Sequence, residues 1–143
     1  MTEHLNSVRG CIFCDVIKGR SPSHRIYEDE YVVAFISLEG HPLIVPKAHF
    51  EGVFDLDESH AAAIMKAAVR VARATKSAMS CDGINLLQAN GAAAGQDVFH
   101  FHLHIKPRFT DDEVIMKWNT KTIEDETRGK RAREIAQHLS TSP

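Results

Sequence analysis

The chain has 143 residues, 43% of them hydrophobic, and a formal net charge of −2 with histidine neutral. That length fits one folded domain with a packed core. The near-balanced charge excludes the strong basic excess of a general nucleic-acid or anionic-membrane binder. The first residues, MTEHLNSVRG, carry no apolar signal core, and runs such as Val32 to Ile36 are too short to span a bilayer, so a cytoplasmic protein is expected. Three cysteines in such a chain argue against a disulfide framework, and Cys11 and Cys14 form a C-x-x-C pair.

In chain order, residues 1–10 read as a flexible arm. Cys11 to Lys18 reads as a short helix, ended by Gly19, with Ile12, Phe13 and Val16 on one face. His24 to Tyr27 and Tyr31 to Ser37 read as strands around the acidic turn Glu28-Asp29-Glu30, and Pro42 to Val45 as a third strand. Asp57 to Ser80 is the clearest helix. Its apolar stripe is Ala61, Ile64, Met65, Ala68, Ala72, Thr75 and Met79, and Asp55 with Glu58 forms a capping box at its start. Ile84 to Ala89 is a strand, Asn90 to Gly95 a loop, and Val98 to Ile105 the last core strand. A polar stretch then leads to an amphipathic helix over Ile123 to Leu139, with Ala132, Ile135, Ala136 and Leu139 as its stripe. Strands joined by tight turns, with one long helix crossing over, describe an α+β domain with a largely antiparallel sheet. The expected organisation is an arm over 1–10, a domain over 11–110 and an extension over 111–143.

The last strand carries the chemistry. Phe99, Phe101, Leu103 and Ile105 alternate with His100, His102 and His104, so one face is apolar and the other a row of imidazoles. Side chains two apart on a strand lie about 6–7 Å from each other, close enough to line one small ligand together. A neutral imidazole nitrogen can attack phosphorus and form a covalent phospho-histidine that water later breaks. The same three rings could instead ligate a metal directly. Upstream, Asn90-Gly91 and Gly95-Gln96-Asp97 place glycines and an amide just before His100. Such turns can aim backbone N–H groups at an anion, or simply form a hairpin turn.

The pattern Gly95-Gln96-x-x-x-His100-x-His102-x-His104 resembles the signature of the histidine-triad (HIT) superfamily. His41-Pro-Leu-Ile-Val-Pro-Lys-Ala-His49 resembles its second signature, and Cys-Ile-Phe-Cys, Tyr-Glu-Asp-Glu and Asn90-Gly91 also match. The resemblance spans roughly Cys11 to Arg108 and is nearest to zinc-bearing, bacterial-type members similar to the histidine-triad nucleotide-binding branch.

The resemblance implies a five-stranded antiparallel sheet with one long helix and short terminal helices, the sheet continuing across a homodimer. It implies that His102 is the nucleophile on the α-phosphate of a purine nucleotide, with His104 near the phosphate and His41 behind His102. Asn90, Gly95, Gln96 and the residue at Asp97 would lie at the phosphate. Ile12, Phe13, Val16 and Phe35 would form an apolar slot for the base. Cys11, Cys14, His49 and His100 would hold a structural zinc, since two thiolates and two imidazoles suit a closed tetrahedral site. No βαβ pattern surrounds the C-x-x-C pair, which weakens a thioredoxin-like redox reading.

Two positions depart from the family pattern. Asp97 stands where many members have Ser or Thr, and a carboxylate about 4 Å from a phosphate oxygen costs about 1 kcal/mol in water, more in a drier site. Ser37 stands where the family's ribose-binding Asp is usual, with Glu39 nearby. The expected activity is a nucleoside phosphoramidase working through a nucleotidyl-histidine. The alternatives are a dinucleoside polyphosphate hydrolase, a non-catalytic nucleotide-binding protein, and a metalloenzyme with the triplet as ligands.

Overall fold

Alternation along two strands builds this fold. Within β2 (Val32–Ile36), Val32 and Ala34 face one side while Val33 and Phe35 face the other. In β3 (Pro42–Pro46), Ile44 faces the first side, and Leu43 and Val45 the second. Both faces are apolar, so both must be covered. The computed structural model describes residues 7–141. In it the chain divides into two compact units, Met1–Asp112 and Glu113–Pro143. Residues 1–6 of the expected arm lie outside the described residues.

In the first unit, β1 (Arg25–Glu28), β2, β3, β4 (Gly83–Leu87) and β5 (Leu103–Arg108) form one antiparallel sheet in the order β1-β2-β3-β5-β4. The β1–β2 turn is closed by Asp29, whose carboxylate accepts from the Tyr31 and Val32 N–H groups at 2.8 and 2.9 Å. The long helix α2 (Glu58–Met79) covers the face carrying Val32, Ala34, Ile44, Phe101, Leu103 and Ile105. The short helix α1 (Ile12–Ile17) places Phe13 and Val16 on the opposite face, against Val33, Phe35, Leu43 and Val45.

Several expectations are corrected. The buried stripe of α2 is Ala63, Ile64, Ala67, Ala68, Val71 and Thr75, whereas Ala61, Met65 and Met79 point outward. The alanines at i, i+4 let the helix lie close on the sheet, which decides its rotation more strongly than the largest apolar side chains do. The N-cap is Asp57, accepting from the His60 N–H at 2.8 Å. Asp55 instead accepts from the Glu51 and Gly52 N–H groups in the preceding loop, each at 3.0 Å. The helix closes on Ser80 in the left-handed region as its C-cap, the end expected from the sequence.

The largest correction concerns the last strand. It begins at Leu103, not Val98, and continues through Pro107 to Arg108. Pro107 is tolerated because β3 pairs with β5 only through Leu43↔His104 and Ile44↔Leu103, so no β3 partner is present beside the proline. Residues 98–102 run outside the ladder. There the Phe101 N–H bonds the Phe50 carbonyl at 2.6 Å, and Phe99 is 45% exposed and does not join the core.

In the second unit a helix, α3 (Asp125–Thr141), replaces the expected Ile123 to Leu139, with Ile135 and Leu139 exposed. No described helix is long and apolar enough to cross a membrane.

Ile44 is fully buried between α2 and the sheet. Ile44→Ala should therefore lower unfolding stability by about 2–5 kcal/mol, read from the denaturant midpoint, through lost burial and the cavity left behind.

Candidate functional site

The histidines gather where β5 leaves the ladder. β3 ends at Pro46, and its last carbonyl accepts a hydrogen bond from His100 Nε2 at 2.8 Å. This bond takes the place of a backbone ladder contact and turns the chain so that His100 and His102 are buried beneath α1. The Phe13 ring lies edge-on to both, with centroids 5.9 Å from His100 and 5.1 Å from His102.

His102 has a defined proton. Its Nδ1 lies 2.8 Å from the carbonyl oxygen of His100. A carbonyl only accepts, so Nδ1 carries the hydrogen and Nε2 keeps a lone pair. The Asp97 carboxylate lies 3.7 Å from that Nε2. The sequence contains no special residue for this acceptor, because any residue at position 100 would bring a carbonyl. Only the local path of the chain aims it.

The His104 ring lies edge-on to His102, with ring centroids 4.9 Å apart. Its Nδ1 is 2.9 Å from His41 Nε2, so one hydrogen is shared between the two rings. The structure thus joins His41 to His104, in place of the expected position behind His102. Burial is the first cause that pushes His104 down to about 4, with the neighbouring His102 and His41 adding to it. Burial likewise lowers His41, Lys106 adding to the effect and Glu39 opposing it. Both rings are therefore uncharged at neutral pH, and the pair can pass a proton without carrying a charge at rest.

Cys11, Cys14, His49 and His100 form a second cluster, with one ligand atom of each within 4.8 Å of all the others. Cys11 Sγ and His100 Nδ1 are 3.4 Å apart, Cys14 Sγ and His49 Nδ1 3.4 Å, and Cys14 Sγ and His100 Nδ1 3.6 Å. A tetrahedral zinc with ordinary bond lengths puts sulfur and nitrogen about 3.6 Å apart, so the donor set fits the ion. His100 is oriented as a ligand would be, giving its Nε2–H to the Pro46 carbonyl and facing the sulfurs with the Nδ1 lone pair. Burial pushes His100 down to about 4, which keeps it neutral. Burial raises the Cys11 thiol, and a cation would reverse that by drawing off the proton. This cluster takes His100 out of the triplet, contrary to a metal site built on all three rings.

The loop residues are engaged within the protein. The Asn90 side chain accepts from the Val53 N–H at 2.7 Å and pairs amide-to-amide with Gln88. Gly52 permits this approach, because a Cβ there would lie 2.9 Å from Asn90 Oδ1. Gln96 is buried. It accepts from the Gly91 N–H at 2.7 Å and donates to the Glu51 and Val98 carbonyls. Gly95 has φ +89° and donates to Ala92 within the turn Ala92–Ala94. The groups expected at the phosphate therefore brace the loop over the site. Phe13, Val16 and Phe35 are core residues, and Ile12 is half-exposed. Ser37 accepts from the His41 N–H at 3.3 Å in the β2–β3 turn.

The HIT domain matches residues 18–111. The chain belongs to the HIT family. A solved HIT family protein from Bacillus subtilis superposes with a TM-score of 0.88 at 37% identity, covering 94% of this chain and all of that one (100%). A Zn-bound histidine triad family protein from Mycobacterium smegmatis superposes with a TM-score of 0.70 at 32% identity, covering 93% and 98%. The adenosine 5'-monophosphoramidase HNT1 of Saccharomyces cerevisiae is 34% identical over 137 residues, 92% of this chain and 84% of that one. The HIT fold, an open five-stranded antiparallel sheet with a long helix, is the one observed.

The His41–His104 pair gives a pH signature. An unfolded histidine titrates near 6.5, whereas folded His104 titrates near about 4. Between these values the unfolded chain binds more protons, so stability falls as pH drops through that window. Denaturation midpoints should decrease from pH 7 to pH 5. In His104→Gln the decrease should be smaller.

Proposed function

We propose that this HIT protein hydrolyses nucleoside phosphoramidates, purine nucleotides joined to an amine at the α-phosphate, with His102 as the covalent nucleophile. The observation that carries the proposal is the proton on His102 Nδ1, fixed by the His100 carbonyl, which leaves the lone pair on Nε2. The Nε2 pair forms a bond to phosphorus while the phosphorus–nitrogen bond breaks. The departing nitrogen keeps the bonding electrons and takes up one proton. Water then attacks the nucleotidyl-histidine, the bond to Nε2 breaks, and one proton is released with the mononucleotide. The His41–His104 pair lies beside this path and is suited to relaying those protons. Asn90, Gly95 and Gln96 brace the loop at the phosphate, and Ile12, half-exposed beside α1's buried Phe13 and Val16, is the member of the apolar slot that a base can reach. The relationship to the yeast phosphoramidase supports this substrate class over a dinucleoside polyphosphate.

A structural zinc on Cys11, Cys14, His49 and His100 completes the proposal. It would tie the start of α1 to the segment that carries His102, and it would take no part in the chemistry. Support comes from the sulfur–nitrogen separations and from the Zn-bound relative. A homodimer joined through the sheet is supported by β4, an edge strand with Leu86 and Leu87 partly exposed.

Four outcomes are expected. His102→Ala should lose turnover of an adenylate phosphoramidate by at least about a thousandfold while keeping its fold by circular dichroism. Mass spectrometry of wild type quenched during turnover should find an adenylyl group on His102, and normal turnover by the variant would reject the nucleophile. The double variant Cys11→Ser, Cys14→Ser should lose the zinc that elemental analysis finds in wild type. Light scattering should give twice the chain mass of 15.9 kDa.

A further inference from the structure

The four donors of the Cys11, Cys14, His49 and His100 cluster are unequally buried. Cys14 is 2% exposed and His100 is fully buried, whereas Cys11 and His49 are half-buried. Cys11 and His49 both line a cavity of about 570 Å³, and Cys14 and His100 do not. Neither His102 nor His104 lines it, so the cavity adjoins the metal cluster and not the proposed nucleophile. A space of this size admits a small molecule as well as a hydrated ion.

The wall is tied to the cluster and carries charge. The Val8 N–H, on the wall, donates to Cys14 Sγ at 3.5 Å, and the Cys14 N–H donates to Cys11 Sγ at 3.4 Å. Hydrogen bonds of this kind favour the thiolate, the form that binds a cation. Glu51 and Asp97 bring two carboxylates to the wall and Arg9 one guanidinium, so its fixed charge is negative. A negative cleft concentrates cations and opposes anions.

We propose that this cavity is the passage by which the metal ion enters and leaves the cluster, with Glu51 and Asp97 drawing the cation in. The inference rests on the structural-zinc part of the reading above and goes beyond it, because it makes the site exchange its ion with solvent. An entering ion meets Cys11 and His49 first, and the buried Cys14 and His100 complete its shell. The ion gives up its bound waters, and each thiol that binds releases its proton to solvent. In the reverse direction a chelator entering the cavity displaces Cys11 and His49 while Cys14 and His100 still hold the ion. Exit on this route requires no unfolding of the sheet. The charge of the wall then acts in opposite senses on the two steps, speeding entry of a cation and slowing approach of an anionic chelator.

Cobalt(II) is the probe, because its bonds to thiolate absorb light. Uptake by the metal-free full-length protein is followed by stopped-flow absorbance without oxygen, and removal by EDTA as loss of the same band. Glu51→Gln and Asp97→Asn should each slow uptake about threefold at low salt and speed removal by EDTA about threefold, the effect of a unit charge about 8 Å from a multivalent ion. Glu39→Gln makes the same charge change in the β2–β3 turn, at the other end of β3 from His49, and should leave both rates nearly unchanged. The removal rate should rise in proportion to EDTA concentration. Rates unchanged in both cavity variants overturn the inference, as do uptake and removal shifted in the same direction, the mark of a loosened site. A removal rate independent of EDTA concentration also overturns it, since release would then wait on local opening of the chain. In these cases bound cobalt at equilibrium leaves the zinc reading standing. Wild type that binds neither cobalt nor zinc rejects that reading and this inference with it.

Discussion

The site depends on one hydrogen bond, from His102 Nδ1 to the carbonyl of His100 two residues earlier. In a regular strand that carbonyl would be committed to a neighbouring strand or point sideways from the ring. Here the segment lies outside the ladder, and the carbonyl takes the imidazole proton instead. The result is a fixed tautomer with its lone pair on Nε2, which is the condition for nucleophilic attack by a neutral ring.

What keeps the segment outside the ladder is a set of contacts made by its own residues. His100 Nε2 occupies the Pro46 carbonyl, and the Phe101 N–H reaches the Phe50 carbonyl in the loop after β3. His100 then turns its other nitrogen to Cys11 and Cys14, at the start of α1. One residue thus links the end of β3, the N-terminal helix and the segment of the proposed nucleophile. A metal at that cluster would stiffen the link and leave the lone pair of His102 untouched. Alternate residues of one extended segment serve different ends: His100 holds structure together, His102 presents a lone pair, and His104 pairs with His41.

Much of this is legible in the sequence because it depends on periodicity and residue type. The apolar run within Tyr31 to Ser37 announces a strand, and the spacing of the triplet places three rings on one side of an extended segment. The Cys11, Cys14, His49 and His100 set is visible only through the family resemblance, since the four residues are spread along the chain. The rotation of α2 is less legible, because a stripe chosen by hydrophobic size neglects closeness of approach, and alanines win where a helix lies flat on a sheet. Strict alternation puts Phe99 in the core only when it is carried back past Leu103, where the strand begins.

The sequence by itself determined the kinds of groups available: three imidazoles at period two, a thiol pair at helical spacing, glycines before the triplet, and an Asp at position 97. These follow from local geometry, which a linear pattern encodes. Only the tertiary structure decided which nitrogen carries the proton, which ring partners which, and that Asn90 and Gln96 brace the loop. Those outcomes turn on carbonyl directions and contacts between distant segments, such as His41 with His104 and Gln96 with Glu51. A backbone carbonyl is present at every position, so only the folded path of the chain gives one of them a function.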